Sequence, residues 1–237
     1  MTDSIAFRDL AYKNRFPVPL QPGPPTTFIG LFGLTLTNLW DNYASATGIF
    51  TDSVSAFNVN DGGTNPPTEA VQNSHHYPVF NGVNTGLESS TNYTTLDNLS
   101  DWTMFTALKT NAGSAFGGIL DKALAFFFEL HISGKVAFSV QGGSGANILS
   151  TQLVNNDQWH RVIITCNAGT VKLYVDGTLN GTDTGGTIPV SSNKLLIGVQ
   201  PSGTVTDSGL IVVGVATRGI SAVEAGYLDD ILIDYVG

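Results

Sequence analysis

The clearest alternation of apolar and polar positions begins at Leu124. Phe126, Phe128, Leu130 and Ile132 share one parity, and Val136, Phe138 and Val140 form a second such run. Side chains alternate between the two faces of a strand, so these runs predict an antiparallel pair. The expected register sets Ile132 opposite Val136 and Phe128 opposite Val140, around a loop of Ser133-Gly134-Lys135. A second pair follows. With Asn167-Ala-Gly-Thr170 as its loop, Cys166 faces Val171, Ile164 faces Leu173 and Val162 faces Val175, three apolar cross-strand pairs. Asp176-Gly177 then reads as a two-residue turn, because both positions tolerate positive φ. Further strands are expected over 194–199, 210–216 and 227–236, and no segment reads as a helix.

Upstream the pattern is weaker. From residue 28 to about 83, short apolar runs alternate with Gly, Asn, Thr and Pro clusters, which are strand and turn signals without a helical period. Residues 1–27 differ again. Phe16-Pro-Val-Pro and Pro22-Gly-Pro-Pro remove amide donors and favour an extended arm. The arm carries Phe7, Leu10, Tyr12 and Phe16 among Arg8, Lys13 and Arg15, more aromatic side chains than solvated tails hold. It packs across its own domain or docks on a partner, and Phe7, Arg8, Tyr12, Arg15 and Phe16 are the docking candidates. The expected organisation is an extended arm over 1–27 and one all-β, antiparallel two-sheet sandwich over 28–237.

Composition supports one core without covalent staples. Of 237 residues, 42% are hydrophobic, and the single cysteine, Cys166, cannot form an internal disulfide. Its place among the cross-strand pairs predicts a packing role. The net charge of -9 is uneven: the first fifteen residues carry three basic and two acidic side chains, leaving -10 for the rest. An acidic body disfavours nucleic acid. No apolar stretch approaches the ~20 residues of a membrane span, and the N-terminus shows no signal-peptide pattern, so a soluble protein made in a cytoplasm is expected.

Several runs together resemble a known family. Asn156-Asp-Gln-Trp-His-Arg, then Gly169-Thr-Val-Lys-Leu-Tyr-Val-Asp-Gly177, Leu195-Leu-Ile-Gly198 and Gly226-Tyr-Leu-Asp-Asp-Ile-Leu-Ile233 are similar, in order and spacing, to the laminin-G-like, concanavalin A-like jelly rolls. Phe80-Asn-Gly82 resembles the motif that opens such domains, so the resemblance covers 79–237. It implies a jelly-roll fold, with Trp159 as a core anchor and Asp157 bonding turn amides. It also implies that calcium binding stays open, through rim carboxylates such as Asp183 and Asp207, although no ligand set is specified. No cofactor and no metal site are assigned.

The same fold carries glycosidases, which need paired carboxylates often spaced as Glu-x-Asp-x-x-Glu. Only Glu69, Glu88, Glu129 and Glu224 are present, none in that pattern. No nucleophile elbow or phosphate-binding glycine loop occurs, and His75-His76 reads as part of a polar loop without further ligands. A non-enzymatic protein is expected. Phe127, Glu129 and His131 share the face opposite Phe128 and form a candidate sugar platform. Free-standing jelly rolls with a docking arm look like bacteriophage capsid-decoration or tail-associated proteins. The leading expectation is therefore a virion structural protein, oligomeric, partnered by capsid or tail proteins and able to reach host-surface glycans. A lectin-like carbohydrate-binding module is the alternative, and a glycoside hydrolase ranks third.

Overall fold

A computed structural model describes residues 27–237 apart from 62–64, 84, 112–116, 143–144 and 200–206. The arm candidates Phe7, Arg8, Tyr12, Arg15 and Phe16 lie outside the described residues. The described residues form sixteen strands, most of them in one continuous antiparallel path that folds over on itself into two layers. The first layer runs β11 (Asn147–Leu153), β10 (Lys135–Val140), β9 (Phe126–Leu130), β8 (Gly117–Lys122), β15 (Lys194–Ile197), β6 (Leu87–Asn92) and β3 (Val59–Asn60). The second runs β2 (Ile49–Asp52), β1 (Leu36–Ala44), β16 (Asp207–Ala216), β7 (Trp102–Thr110), β12 (Trp159–Asn167), β13 (Thr170–Val175) and β14 (Thr178–Thr184). A hairpin of β4 (Thr68–Gln72) and β5 (His75–Asn81) joins β16.

Between the layers lies the main core. Phe126, Phe128, Phe138 and Leu195 from the first layer meet Trp102, Val162, Ile164 and Leu210 from the second, all buried. Trp102 packs on Phe138 at a ring separation of 5.1 Å. The free edges also close on each other: Asn180 Oδ1 accepts from Thr151 Oγ1 and the Gln152 amide, and Asp183 Oδ2 accepts from the Asn147 amide. The last of these bonds, with one from the Thr184 amide, holds the Asp183 carboxyl below its ordinary range. Asp183 thus tethers the two free edges, and the side chain of Asp207 lies outside the described residues.

The Cys166/Val171, Ile164/Leu173 and Val162/Val175 pairs form as the alternation predicts. Ala168 and Gly169 turn at φ 47° and 78°, and Asp176 and Gly177 at 49° and 73°, the positive values such turns require. Cys166 is fully buried, and burial pushes its thiol up to about 11.

In the first hairpin the register is shifted by two residues. Leu130, not Ile132, pairs with Val136, and Phe128 pairs with Phe138. A two-residue shift preserves every facing direction, so the buried set is unchanged and only Ile132 moves into the turn, exposed. The cause is local, because His131 accepts the Ser133 amide on Nδ1 and bonds the Lys135 carbonyl through its own amide.

The closing segment is a larger correction. Residues 227–236 are not a strand but part of α2 (Ala222–Val236); a short α1 (Phe28–Phe32) also forms. Ser221 and Glu224 make a capping box, each side chain bonding the other's backbone amide. Ala225, Leu228, Ile231, Leu232 and Val236 then recur at helical spacing and are buried. Alternation of Ile231, Ile233 and Tyr235 mimicked a strand only locally.

Both helices lie on the outer face of the second layer. Phe28, Phe32, Leu228 and Leu232 cover Phe105, Ile163, Tyr174 and Ile211 in a second core. Arg161 fixes α2 through Asp229, with Nε donating at 2.9 Å and Nη2 at 3.2 Å. A sheet face that could have met a ligand is sealed.

Candidate functional site

Sealing the second layer leaves the outer face of the first, over β9, β10 and β11, as the open sheet surface among the described residues; β8 is buried on both sides. The register decides what it presents. Phe127 on β9 sits between Asp121 on β8 and Ser139 on β10, while Glu129 sits between Gly118 and Ala137. Leu149 on β11 extends the row beyond Ala137 and is 43% exposed. Phe127 and Glu129 are half-buried, and Gln141 donates from Nε2 to Ser139 Oγ at 3.0 Å. The result is an aromatic ring set among amide, hydroxyl and carboxyl groups, a composition suited to a sugar with one apolar and one polar side.

Of the sequence-predicted platform, Phe127 and Glu129 are therefore brought together. His131 is not beside them on the strand. It leaves β9 at the turn, where Nδ1 is engaged by Ser133, so its ring caps the hairpin.

Asp121 belongs to the same face but is fully buried. Its Oδ1 accepts the Phe128 amide at 2.8 Å, and Oδ2 has no partner. Burial, with repulsion from Glu129, raises its carboxyl well above the ordinary range. A Cβ on Gly118 would come within 2.5 Å of Oδ2 and 2.4 Å of the Val199 carbonyl. The carboxyl is thus walled in and out of reach of a substrate.

Other candidates take structural roles. His75 and His76 lie on β5 rather than in a loop, and His76 meets Glu69. The Ser45 amide, His76 and the Ser45 hydroxyl lower the Glu69 carboxyl to about 2. Asp157 does not bond the turn amides; Asn156 does, its Oδ1 accepting the Gln158 amide and facing His160 Nε2 at 2.8 Å. Trp159 is not in the main core, since it shares parity with Arg161 and Ile163 on the outer side of β12. There its ring packs edge-on against Tyr77 at 5.2 Å. No group of three or more His, Cys, Asp or Glu side chains with metal-binding geometry occurs among the described residues.

Sequence reasoning missed a rim cleft beside that aromatic pair, lined by Tyr77, Lys109, Asp157 and Ser208. These residues come from four separate segments, so no local motif could have signalled it.

Known structures share this architecture. The fold is similar to that of the binding domain of Paraclostridial mosquitocidal protein 1, with a TM-score of 0.66 at 11% identity over 81% of this chain and 52% of that one. A Trypanosoma rangeli sialidase in complex with sialic acid gives 0.60 at 16%, over 89% of this chain and 35% of that one. Domain 4 of AbnA, an extracellular arabinanase from Geobacillus stearothermophilus, in complex with arabinotriose, gives 0.63 at 16%, over 82% and 98%. The chain thus spans about half the length of the first and a third of the second. At these identities the likeness establishes the fold alone. No curated protein matches the sequence. The family profile for laminin-G-like domains matches residues 80–212, more than half of the 237, and the chain belongs to the concanavalin A-like lectin/glucanases superfamily.

Proposed function

We propose that this protein is a non-catalytic carbohydrate-binding module that holds glycans on the outer face of its first layer. The observation that carries this reading is the contrast between the two outer faces. One is sealed by helices and the other presents Phe127 among Glu129, Ser139 and Gln141. Two structures of the same fold are complexes with sialic acid and arabinotriose, which supports a saccharide as the ligand class. The acidic body, at -9 overall, favours neutral glycans over sialylated ones. Catalysis is unsupported: Asp121 is enclosed and bonded to backbone, so it and Glu129 do not form an accessible acid pair across a sugar ring.

A glycan array tests the proposal. Wild-type protein is expected to retain neutral oligosaccharides, and Phe127→Ala to lose them while remaining folded. Retention by the variant, or an empty array, would refute it.

A second reading concerns where such a module works. The basic and aromatic content of residues 1–27 favours display on a phage particle, with the arm docking on capsid or tail proteins and the body facing host glycans. On this reading the protein is a virion component and a homo-oligomer. A protein lacking residues 1–27 would bind glycans unchanged and fail to join particles; equal incorporation would rule the role out.

A further inference from the structure

The hairpin of β4 and β5 leaves one strand edge open. Among the described residues β4 pairs with β5 alone, in unbroken register from Thr68↔Val79 to Gln72↔His75. The turn fixes which backbone groups that ladder uses. Asn73 and Ser74 stand at φ 46° and 67°, the positive pair of a type I′ turn, so Gln72 and His75 exchange both backbone bonds. Bonded pairs alternate along antiparallel strands, so Ala70 and Thr68 also point inward. Glu69 and Val71 therefore send their amides and carbonyls to the outer side, where neither backbone is bonded among the described residues. The end strands of the main path are not free in this way, because Asn180 and Asp183 tie β14 to β11.

Native proteins guard such edges with lysine, proline or a bulge. β4 reads Thr-Glu-Ala-Val-Gln, with no lysine, proline or register shift, and Val71 is 55% exposed. Its one charge is turned aside: the Glu69 carboxylate accepts the Ser45 amide and hydroxyl at 2.8 Å each and meets His76 on β5. An edge this accessible is ready to pair with one more strand.

We propose that β4 is the contact between two copies of this chain, paired antiparallel about a two-fold axis at Ala70. In that register Glu69 bonds Val71 of the second copy and Val71 bonds Glu69 of the second copy, so every outward amide and carbonyl of both strands is used. Ala70 meets Ala70 of the second copy in the closer, non-bonded kind of pair, where a small side chain suits the short separation. Each carboxylate then lies opposite a valine. A two-residue slip one way sets the two Glu69 carboxylates against each other and calls on Pro67, which has no amide; a slip the other way draws Asn73 of the turn into the ladder. An unrelated strand has no need of this symmetry, and the arrangement of Glu69 and Val71 about Ala70 selects a second copy. The contact serves the homo-oligomer of the second reading above and is independent of the Phe127 face.

Sedimentation velocity of the full chain, from about 10 μM to about 1 mM, covers the range of a small reversible interface and is expected to show a monomer–dimer equilibrium. Three substitutions at the exposed Val71 then report the register. Val71→Pro removes an outward amide and none that β4 gives to β5, so the hairpin should stand, as edge prolines allow, while the dimer weakens by at least about tenfold. Val71→Glu sets like charges opposite each other in two symmetric pairs and should weaken the dimer roughly fivefold. Val71→Lys sets an ammonium opposite each Glu69 and should tighten it by a similar factor. The same two charges placed at Val190, exposed and outside the hairpin, should leave it unchanged. A protein monomeric throughout, a dimer indifferent to all three substitutions, the same response to lysine as to glutamate, or responses matched at Val190 would overturn the contact. So would a monomer that takes up an unrelated extended peptide along β4. Glycan retention by the Phe127 face is read separately, so neither result decides the other.

Discussion

Gly214 offers the sharpest test of how the second layer is sealed. It pairs directly with Phe105 across β16 and β7, and the aromatic ring lies over the bare glycine. A Cβ at 214 would fall 2.0 Å from Phe105 Cζ and 2.4 Å from Cε2, against roughly 3.5–4.0 Å for a relaxed carbon contact. The ring has nowhere to retreat, because Phe28 stacks on it at 5.0 Å and Phe32 at 5.8 Å. Gly214→Ala should therefore cost about 3 kcal/mol, the upper part of the usual range for overpacking. Phe105→Ala empties the same space and should cost about 3–5 kcal/mol. The double variant decides the matter. With the ring gone the three nearest atoms to the new methyl, all on Phe105, are removed, so the double variant should be no less stable than Phe105→Ala, a coupling of about 3 kcal/mol. Urea unfolding followed by tryptophan fluorescence measures all four proteins. Additive losses would show that Phe105 does not occupy the space above Gly214.

Three further outcomes follow from titrating groups that the fold holds in place. Asp121 has its folded carboxyl raised, so the stability it contributes is complete below about pH 3.8 and lost as pH rises through its folded value. Asp121→Asn, which keeps an acceptor for the Phe128 amide, should match wild type at about pH 3.5 and exceed it in melting temperature at about pH 8; equal values at both would contradict this. Asp176 works in the opposite sense. Against the cost of burial, bonds from His160 and the Arg161 amide hold its carboxyl low, so Asp176→Asn should lose stability above about pH 4 and converge on wild type in stronger acid. A melting curve taken across that range checks it. Cys166, raised to about 11 and buried, should resist maleimide at about pH 8 in the native protein and react on unfolding.

The fold was largely legible in the alternation. The Cys166/Val171 hairpin and its neighbours could be read residue by residue because apolar pairs and a positive-φ turn agreed. The first hairpin was misplaced by two residues because parity cannot distinguish registers that preserve the faces. The terminal helix was missed because Ile231, Ile233 and Tyr235 alternate over a short span, while the stronger signal, Ser221 with Glu224 three residues later, lay outside it. At the candidate site, Phe127 and Glu129 were visible because a strand places them two residues apart on one side. That this face stays open over β9, β10 and β11 while Val199 closes on Gly118 over β8 is a tertiary fact, and so is the meeting of Tyr77, Lys109, Asp157 and Ser208.

Mapping amide chemical shifts while titrating a bound neutral oligosaccharide is the most direct test of the proposed function. The shifts should centre on Phe127, Glu129, Ala137, Ser139 and Leu149, across the open face of the first layer. A bound glycan that leaves those residues unmoved would contradict binding on this face.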